Sequence, residues 1–223
     1  MSYMWNEFNI KTFPAETIVF RDGVYCPELS TLENAPINDN FDLPVHIIYV
    51  GEIVGENALN IAVGATNQKV IISANVIINQ PAFLKVCVKN AGKNSVVTGC
   101  VALQNNADLT YRCDAEHIYE NTGILIKNKL LAGKNSKSVL AGGTIIKPDC
   151  PNCQSDVGFV AMVDKDARVE FMPEQRISSE VESAEHSAAI YRPTENQIYY
   201  LRGAGLSGAE VDIALKEAFV TFE

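Results

Sequence analysis

Residues 70–103 read VIISANVIINQPAFLKVCVKNAGKNSVVTGCVAL. Three β-branched runs, 70–78, 83–88 and 95–103, are separated by short polar turns, the composition of strands joined by tight connections. The same texture extends both ways, through 46–50 and 59–63 before this stretch and 109–113, 124–131, 138–146, 157–163 and 169–172 after it. Strands recur about every 10 to 13 residues, and no helix-period segment interrupts roughly 120 residues. That rhythm leaves a sandwich, a barrel or a parallel β-helix.

An internal echo favours the β-helix. Ala91-Gly92-Lys93-Asn94-Ser95 recurs as Ala132-Gly133-Lys134-Asn135-Ser136, and Gly64-Ala65-Thr66-Asn67 and Asp164-Lys165-Asp166-Ala167 are further small polar corners. Corners of similar chemistry suit stacked coils that repeat one another's turns. Val70-Ile71-Ile72 and Thr144-Ile145-Ile146 are apolar at consecutive positions, as expected of strands covered on both faces. The reading is an all-β protein in three parts: an irregular lead-in over 1–44 with one short strand at 17–20, a core over 45–190 read as a β-helix with sandwich and barrel still open, and a helical subdomain over 191–223. In that tail, Thr194-Glu195-Asn196-Gln197 and Ser207-Gly208-Ala209-Glu210 are capping boxes, each opening a helix. Val211, Ala214, Leu215, Ala218 and Phe219 form an apolar stripe on the second.

Bulk composition narrows the function. The 223 residues are 47% hydrophobic and 20% charged, with 18 Lys and Arg against 27 Asp and Glu and a net charge of -9. An acidic chain gains nothing from a phosphate backbone, so nucleic acid and anionic membranes are not expected partners. The opening ten residues carry no basic region followed by an apolar one, which predicts a cytoplasmic protein. Its six cysteines are then reduced thiols that serve burial or metal chemistry.

The segment from Glu185 to Leu201, with Gln197-Ile198-Tyr199-Tyr200, Gly205-Leu206 and Ala218-Phe219 in order, resembles the C-terminal signature of the SufB/SufD family. More loosely, Ala115 to Gly123 and the coil through Gly143-Thr144-Ile145 are similar to the family's core. The resemblance spans about residues 45–223 and implies a right-handed parallel β-helix followed by a helical subdomain. It also implies a non-enzymatic scaffold for assembling iron–sulfur clusters, which dimerises with itself or a SufB-like subunit and works with a SufC-type ABC ATPase. Three departures stand out. Gly203-Ala204 replaces the usual Ser-Arg, the family's long N-terminal helical region has no counterpart, and the SufB cysteine's register falls near Gly158.

The resemblance makes Glu185 and His186 candidate ligands of a transient cluster, since imidazole releases a cluster more readily than thiolate does. Cys150-Pro151-Asn152-Cys153 is a lone C-x-x-C whose span can place two sulfurs on one metal, or simply hold two loop thiols. Cys87, Cys100 and Cys113, 13 residues apart, are expected to be small core hydrophobes. Asp114, Glu116 and His117 have no partner at a catalytic spacing, and no nucleophile-elbow, phosphate-loop, dinucleotide or zincin motif occurs. The expected ATPase-binding face comprises Tyr199, Leu201, Leu206, Val211, Leu215 and Phe219. Two other classes stay open. One is a carbohydrate-active β-helix using Asp164 and Asp166; the other is a structural β-helix that polymerises end to end, with one end blocked by the terminal helices.

Overall fold

The computed structural model describes Thr17–Arg21, Val24–Tyr25 and residues 45–221. The rest of the 1–44 lead-in, Cys26 included, lies outside the described residues. The first two stretches are β1 (Thr17–Arg21) and β2 (Val24–Tyr25), so the short strand expected at 17–20 is present.

Eleven further strands follow: β3 (Val45–Glu52), β4 (Gly55–Val63), β5 (Lys69–Ile78), β6 (Ala82–Asn90), β7 (Val96–Asn105), β8 (Asp108–His117), β9 (Gly123–Ala132), β10 (Lys137–Ile146), β11 (Cys153–Val163), β12 (Arg168–Ile177) and β13 (Val181–Tyr191). From β3 to β11 each pairs in parallel with the strand two ahead, giving sheet A in the order β13-β11-β9-β7-β5-β3-β1-β2 and sheet B in the order β12-β10-β8-β6-β4. Among the described residues only β1 and β2 pair antiparallel. Sequential strands thus alternate between two stacked sheets, and the chain climbs about five turns of a parallel β-helix.

The coil is set by its corners. Asn67, Asn94, Asn121 and Asn152 sit at successive corners between sheets B and A with φ of 59°, 56°, 55° and 57°, a left-handed conformation that Asn tolerates better than most residues. Asn94 Nδ2 donates to Asn67 Oδ1 at 3.2 Å, 27 residues back, and Asn106 Nδ2 to Asn79 Oδ1 at 2.9 Å, also 27 back, at the opposite corner. The two copies of the Ala-Gly-Lys-Asn-Ser echo lie on opposite corners, one and a half turns apart. They repeat turn chemistry rather than register.

Inside, the strands bury one residue in two. Val45, Val70, Val97 and Ile124 stack in register at the start of sheet A, all buried, each contributing about 1.5–3 kcal/mol. Gly142 belongs to this inner set with φ +105°, and a Cβ there would lie 2.2 Å from the Cys113 carbonyl oxygen, so only glycine fits. The outer faces are less covered than the consecutive apolar residues suggest, since Ile71 and Ile145 are half-buried.

Two helices end the chain. α1 (Glu195–Gly203) and α2 (Gly208–Val220) each open on the expected capping box, with Thr194 and Ser207 as N-caps. α2 lies on the outer face of sheet A, where Phe219 and Val220 pack with Ala102 and Met162 and Phe219 stacks on Tyr191 at 5.3 Å. Lys216 reaches Asp164 at 2.8 Å. Lys129 Nζ donates to the Thr221 carbonyl at 2.9 Å, a cation at the helix's negative end. The helix therefore covers the side of the solenoid and not its end. Among the described residues no helix is long and apolar enough to cross a membrane.

Candidate functional site

β13 is the last strand of sheet A, and no run was expected there: Val181-Glu-Ser-Ala-Glu-His-Ser-Ala-Ala-Ile-Tyr191 is too polar and too rich in small residues. It forms because β11 offers it a full ladder. Asp156 pairs with Glu185 and Val157 with His186. Register partners share a face. Val157 is buried in the lumen, so His186 stands on the lumen face of the last coil, where it is exposed because no further coil covers it. Glu185 takes the outer face beside Asp156, whose carboxyl is pushed up by burial first and by the Glu185 charge second, against Lys127. Adjacent strand residues point to opposite faces, so the strand does not bring Glu185 and His186 onto one ion.

The mouth of the lumen is completed by β12. Val169, Phe171, Pro173, Gln175 and Ile177 are in register with the inner residues Ser138, Leu140, Gly142, Thr144 and Ile146. Gln175 Nε2 crosses the mouth to the Ala184 carbonyl at 3.1 Å. Neither strand has a neighbour on its far side among the described residues.

One turn deeper, Thr144 and Ser155 share a hydrogen bond of 2.7 Å. Below them the Tyr111 hydroxyl donates to Asn128 Oδ1 and Asn128 Nδ2 to the Gly158 carbonyl at 3.0 Å. All are buried. Desolvation raises the Tyr111 hydroxyl well above its ordinary range and pushes the Cys113 thiol up to about 12, so these groups are neutral donors and acceptors. Cys113 is a core residue as expected. Cys87 is buried outside the lumen beside Lys85 and Lys89, and Cys100 is half-buried near Lys127 and Lys129. Cys100 therefore departs from the core assignment.

Cys150 and Cys153 are both fully buried, packed with Ile146 at a corner. Cys153 Sγ lies 3.2 Å from Thr122 Oγ1 and 3.2 Å from the Cys150 carbonyl oxygen. Thr122 donates to the Tyr119 carbonyl at 3.0 Å, so His117 Nδ1, 2.8 Å away, must be the donor in that contact. Its Nε2 is a buried lone pair without a partner, and burial lowers the imidazole pKa to about 4. This corner is about 16 Å along β13 from His186, the five-residue step from Val181 at the strand's rise. The two expected ligand pairs are thus separate. Among the described residues no three His, Cys, Asp or Glu side chains are grouped so as to hold a metal ion.

The acid/base reading of 114–117 fails by alternation. Asp114 pairs with Arg112 at 2.8 Å and Glu116 with Lys147 at 2.9 Å on the outside, while His117 points inward. Asp164, the sugar-site candidate, is engaged by Lys216 of α2.

On the helices, Tyr199 and Tyr200 are exposed at 65% and 77%, and Leu201, Leu206 and Leu215 are half-buried. Val211 and Phe219 are buried, so these two are not free for a partner. Ala218 is exposed, and the helix docks instead through Phe219, Val220 and Lys216. A cavity of about 480 Å³ between α2 and the corners is floored by Leu131, Met162 and Val220. It lies away from His186, on the outer side of sheet A.

Residues 47–219 match the protein family described as SUF system FeS cluster assembly, SufBD core domain. No curated protein matches the chain.

Proposed function

This chain belongs to the SufBD family of SUF-system iron–sulfur cluster assembly proteins, and from that we propose that it is a cytoplasmic, non-catalytic scaffold subunit. It dimerises through the open end of its β-helix, with a second copy or a SufB-like subunit, and holds a transient cluster there. His186 is the ligand offered inside the mouth, and Glu185 contributes from the outer face of the same strand. A SufC-type ABC ATPase docks on the helical subdomain through Tyr199, Leu201, Leu206 and Leu215, and its nucleotide cycle biases the opening of the dimer end. Cys150 and Cys153 are a second ligand pair for iron, of thiols, that requires their corner to open, since thiolates and not buried thiols bind metal.

The observation that carries this reading is the position of His186, a lumen-facing imidazole on a terminal strand with an unpaired edge. Anaerobic reconstitution with iron and sulfide, followed by visible absorption, tests it. The wild-type chain should acquire a cluster chromophore that His186→Ala loses. Equal chromophore yield in both would remove His186 from the site.

A second reading is a structural solenoid that stacks end to end. The open β12 and β13 edges favour it, since the terminal helices lie on the side and block neither. Filaments without iron binding in the same reconstitution would select it.

A further inference from the structure

Among the cysteines of the described residues, one pair alone is placed to meet. Cys87 and Cys113 lie on neighbouring strands one register step apart, but adjacent register steps face opposite ways, so Cys87 is outside sheet B and Cys113 in the lumen. Cys100 stands on the outer face of sheet A, in register with Ser73 and Lys127. Cys150 and Cys153 flank the turn Pro151-Asn152 that leads into β11 and pack together with Ile146. A four-residue turn holds its end Cα atoms within about 7 Å, and a disulfide spans about 4.4–6.8 Å. Cys153 Sγ already reaches back across the turn, 3.2 Å from the Cys150 carbonyl oxygen.

Both thiols are fully buried, yet the residues around them are at the surface. Tyr119, whose carbonyl lies 3.4 Å from Cys153 Sγ, is 54% exposed, and Ile118, Asp149 and Asn152 are exposed as well. The cover is tied down by the Asn121 amide, which donates to the Pro151 carbonyl at 3.0 Å, and by Asn152 Nδ2, which donates to Asn121 Oδ1 at 3.2 Å. Surface corners held by a few hydrogen bonds open at far lower cost than the whole fold. While the corner is closed, burial raises the Cys150 thiol and the pair stays inert.

We infer that Cys150 and Cys153 form a reversible dithiol–disulfide couple and that the disulfide withdraws the pair from iron. The oxidant is a small-molecule disulfide. One cysteine, its proton lost to water, attacks that disulfide and breaks its S–S bond, leaving a mixed disulfide and one small thiol. The second cysteine, likewise deprotonated, attacks the protein sulfur of the mixed disulfide, forms the Cys150–Cys153 bond and releases a second small thiol. Two electrons and two protons pass to the oxidant in all. So short a loop constrains the unfolded chain little, so the couple changes the chemistry of the corner more than its stability. The couple stands on the geometry of the corner, and its effect on iron rests on the proposed ligand role of the pair.

Anaerobic glutathione buffers of graded oxidation test it on the full chain, approached from two sides: reduced folded protein, and protein oxidised in denaturant and then refolded. Free thiols are trapped by alkylation in denaturant and located by peptide mass. Both routes should converge on one disulfide fraction at each ratio, with Cys150 and Cys153 linked and Cys87, Cys100 and Cys113 alkylated. Convergence on the dithiol at every ratio, or a bridge from either residue to another cysteine, would overturn the inference and leave the His186 reading untouched. Ferrous iron retained after desalting is the second readout, taken in His186→Ala so that the mouth contributes none. The disulfide form should retain at least tenfold less iron than the dithiol form. Equal iron in the two forms would overturn the second half of the inference, together with the ligand role of the pair, and spare the couple.

Discussion

His186 stands in register with Val157 on the neighbouring strand, and that pairing turns its imidazole toward the lumen while Glu185, one residue earlier, faces out beside Asp156. A mutation series can therefore separate two residues that adjoin in sequence.

His186→Ala should abolish most cluster retention, and Glu185→Ala should reduce it less. Both are exposed, so each should change unfolding free energy by no more than about 0.5 kcal/mol. Reconstituted absorbance together with urea unfolding checks this, and a larger loss in Glu185→Ala would reverse the assignment.

Stability should fall on mild acidification because of His117. The folded state keeps this imidazole neutral down to about pH 4, whereas the unfolded chain protonates near 6.5. A base with a lowered folded pKa leaves stability intact above 6.5 and erodes it as the pH falls toward 4, here by roughly 3 kcal/mol in total. Half-buried His46, also lowered by burial, adds in the same direction. Urea midpoints between pH 7 and 4 should show the slope, and His117→Asn should flatten it. An equal slope in the variant would place its origin in other groups.

The lumen network should behave as a unit. Tyr111→Phe removes one donor and should cost about 1 kcal/mol, while Asn128→Val leaves the buried Tyr111 hydroxyl without its acceptor, at about 1–3 kcal/mol. The double variant should cost less than the sum of the two. Strict additivity in denaturant unfolding would mean that the two side chains act independently.

The helical subdomain should divide into a packing half and a docking half. Phe219→Ala, which empties the contact with Ala102, Met162 and Tyr191, should cost about 3 kcal/mol or more and lower the melting temperature. Tyr199→Ala with Tyr200→Ala should leave melting unchanged and weaken binding to a SufC-type ATPase at least tenfold. Calorimetric titration and thermal unfolding together check the pair, and intact binding in the double variant would move the docking face elsewhere.

The sequence by itself determined the strand rhythm, the helix starts at Thr194 and Ser207 and the all-β class, because turns, caps and β-branched runs are local chemistry; the choice of a β-helix among all-β folds rested on the recurrent corners and the family resemblance. The coil length was also readable: Asn67, Asn94 and Asn121 recur every 27 residues and mark the same corner of successive turns, a stronger signal than the Ala-Gly-Lys-Asn-Ser echo. Only the tertiary structure decided the site. β13 has little intrinsic preference for a strand and exists because β11 presents it a ladder, so the residues most open to function lie on the element least visible in the sequence. Gln175 carries no motif, and its role appears only where two strands from different sheets meet across the lumen. The faces of Glu185, His186 and His117, the burial of Cys150 and Cys153, and the withdrawal of Val211 and Phe219 from the surface all follow from register. Register is set by pairing between residues 25 to 31 positions apart, a distance at which no local pattern specifies the partner.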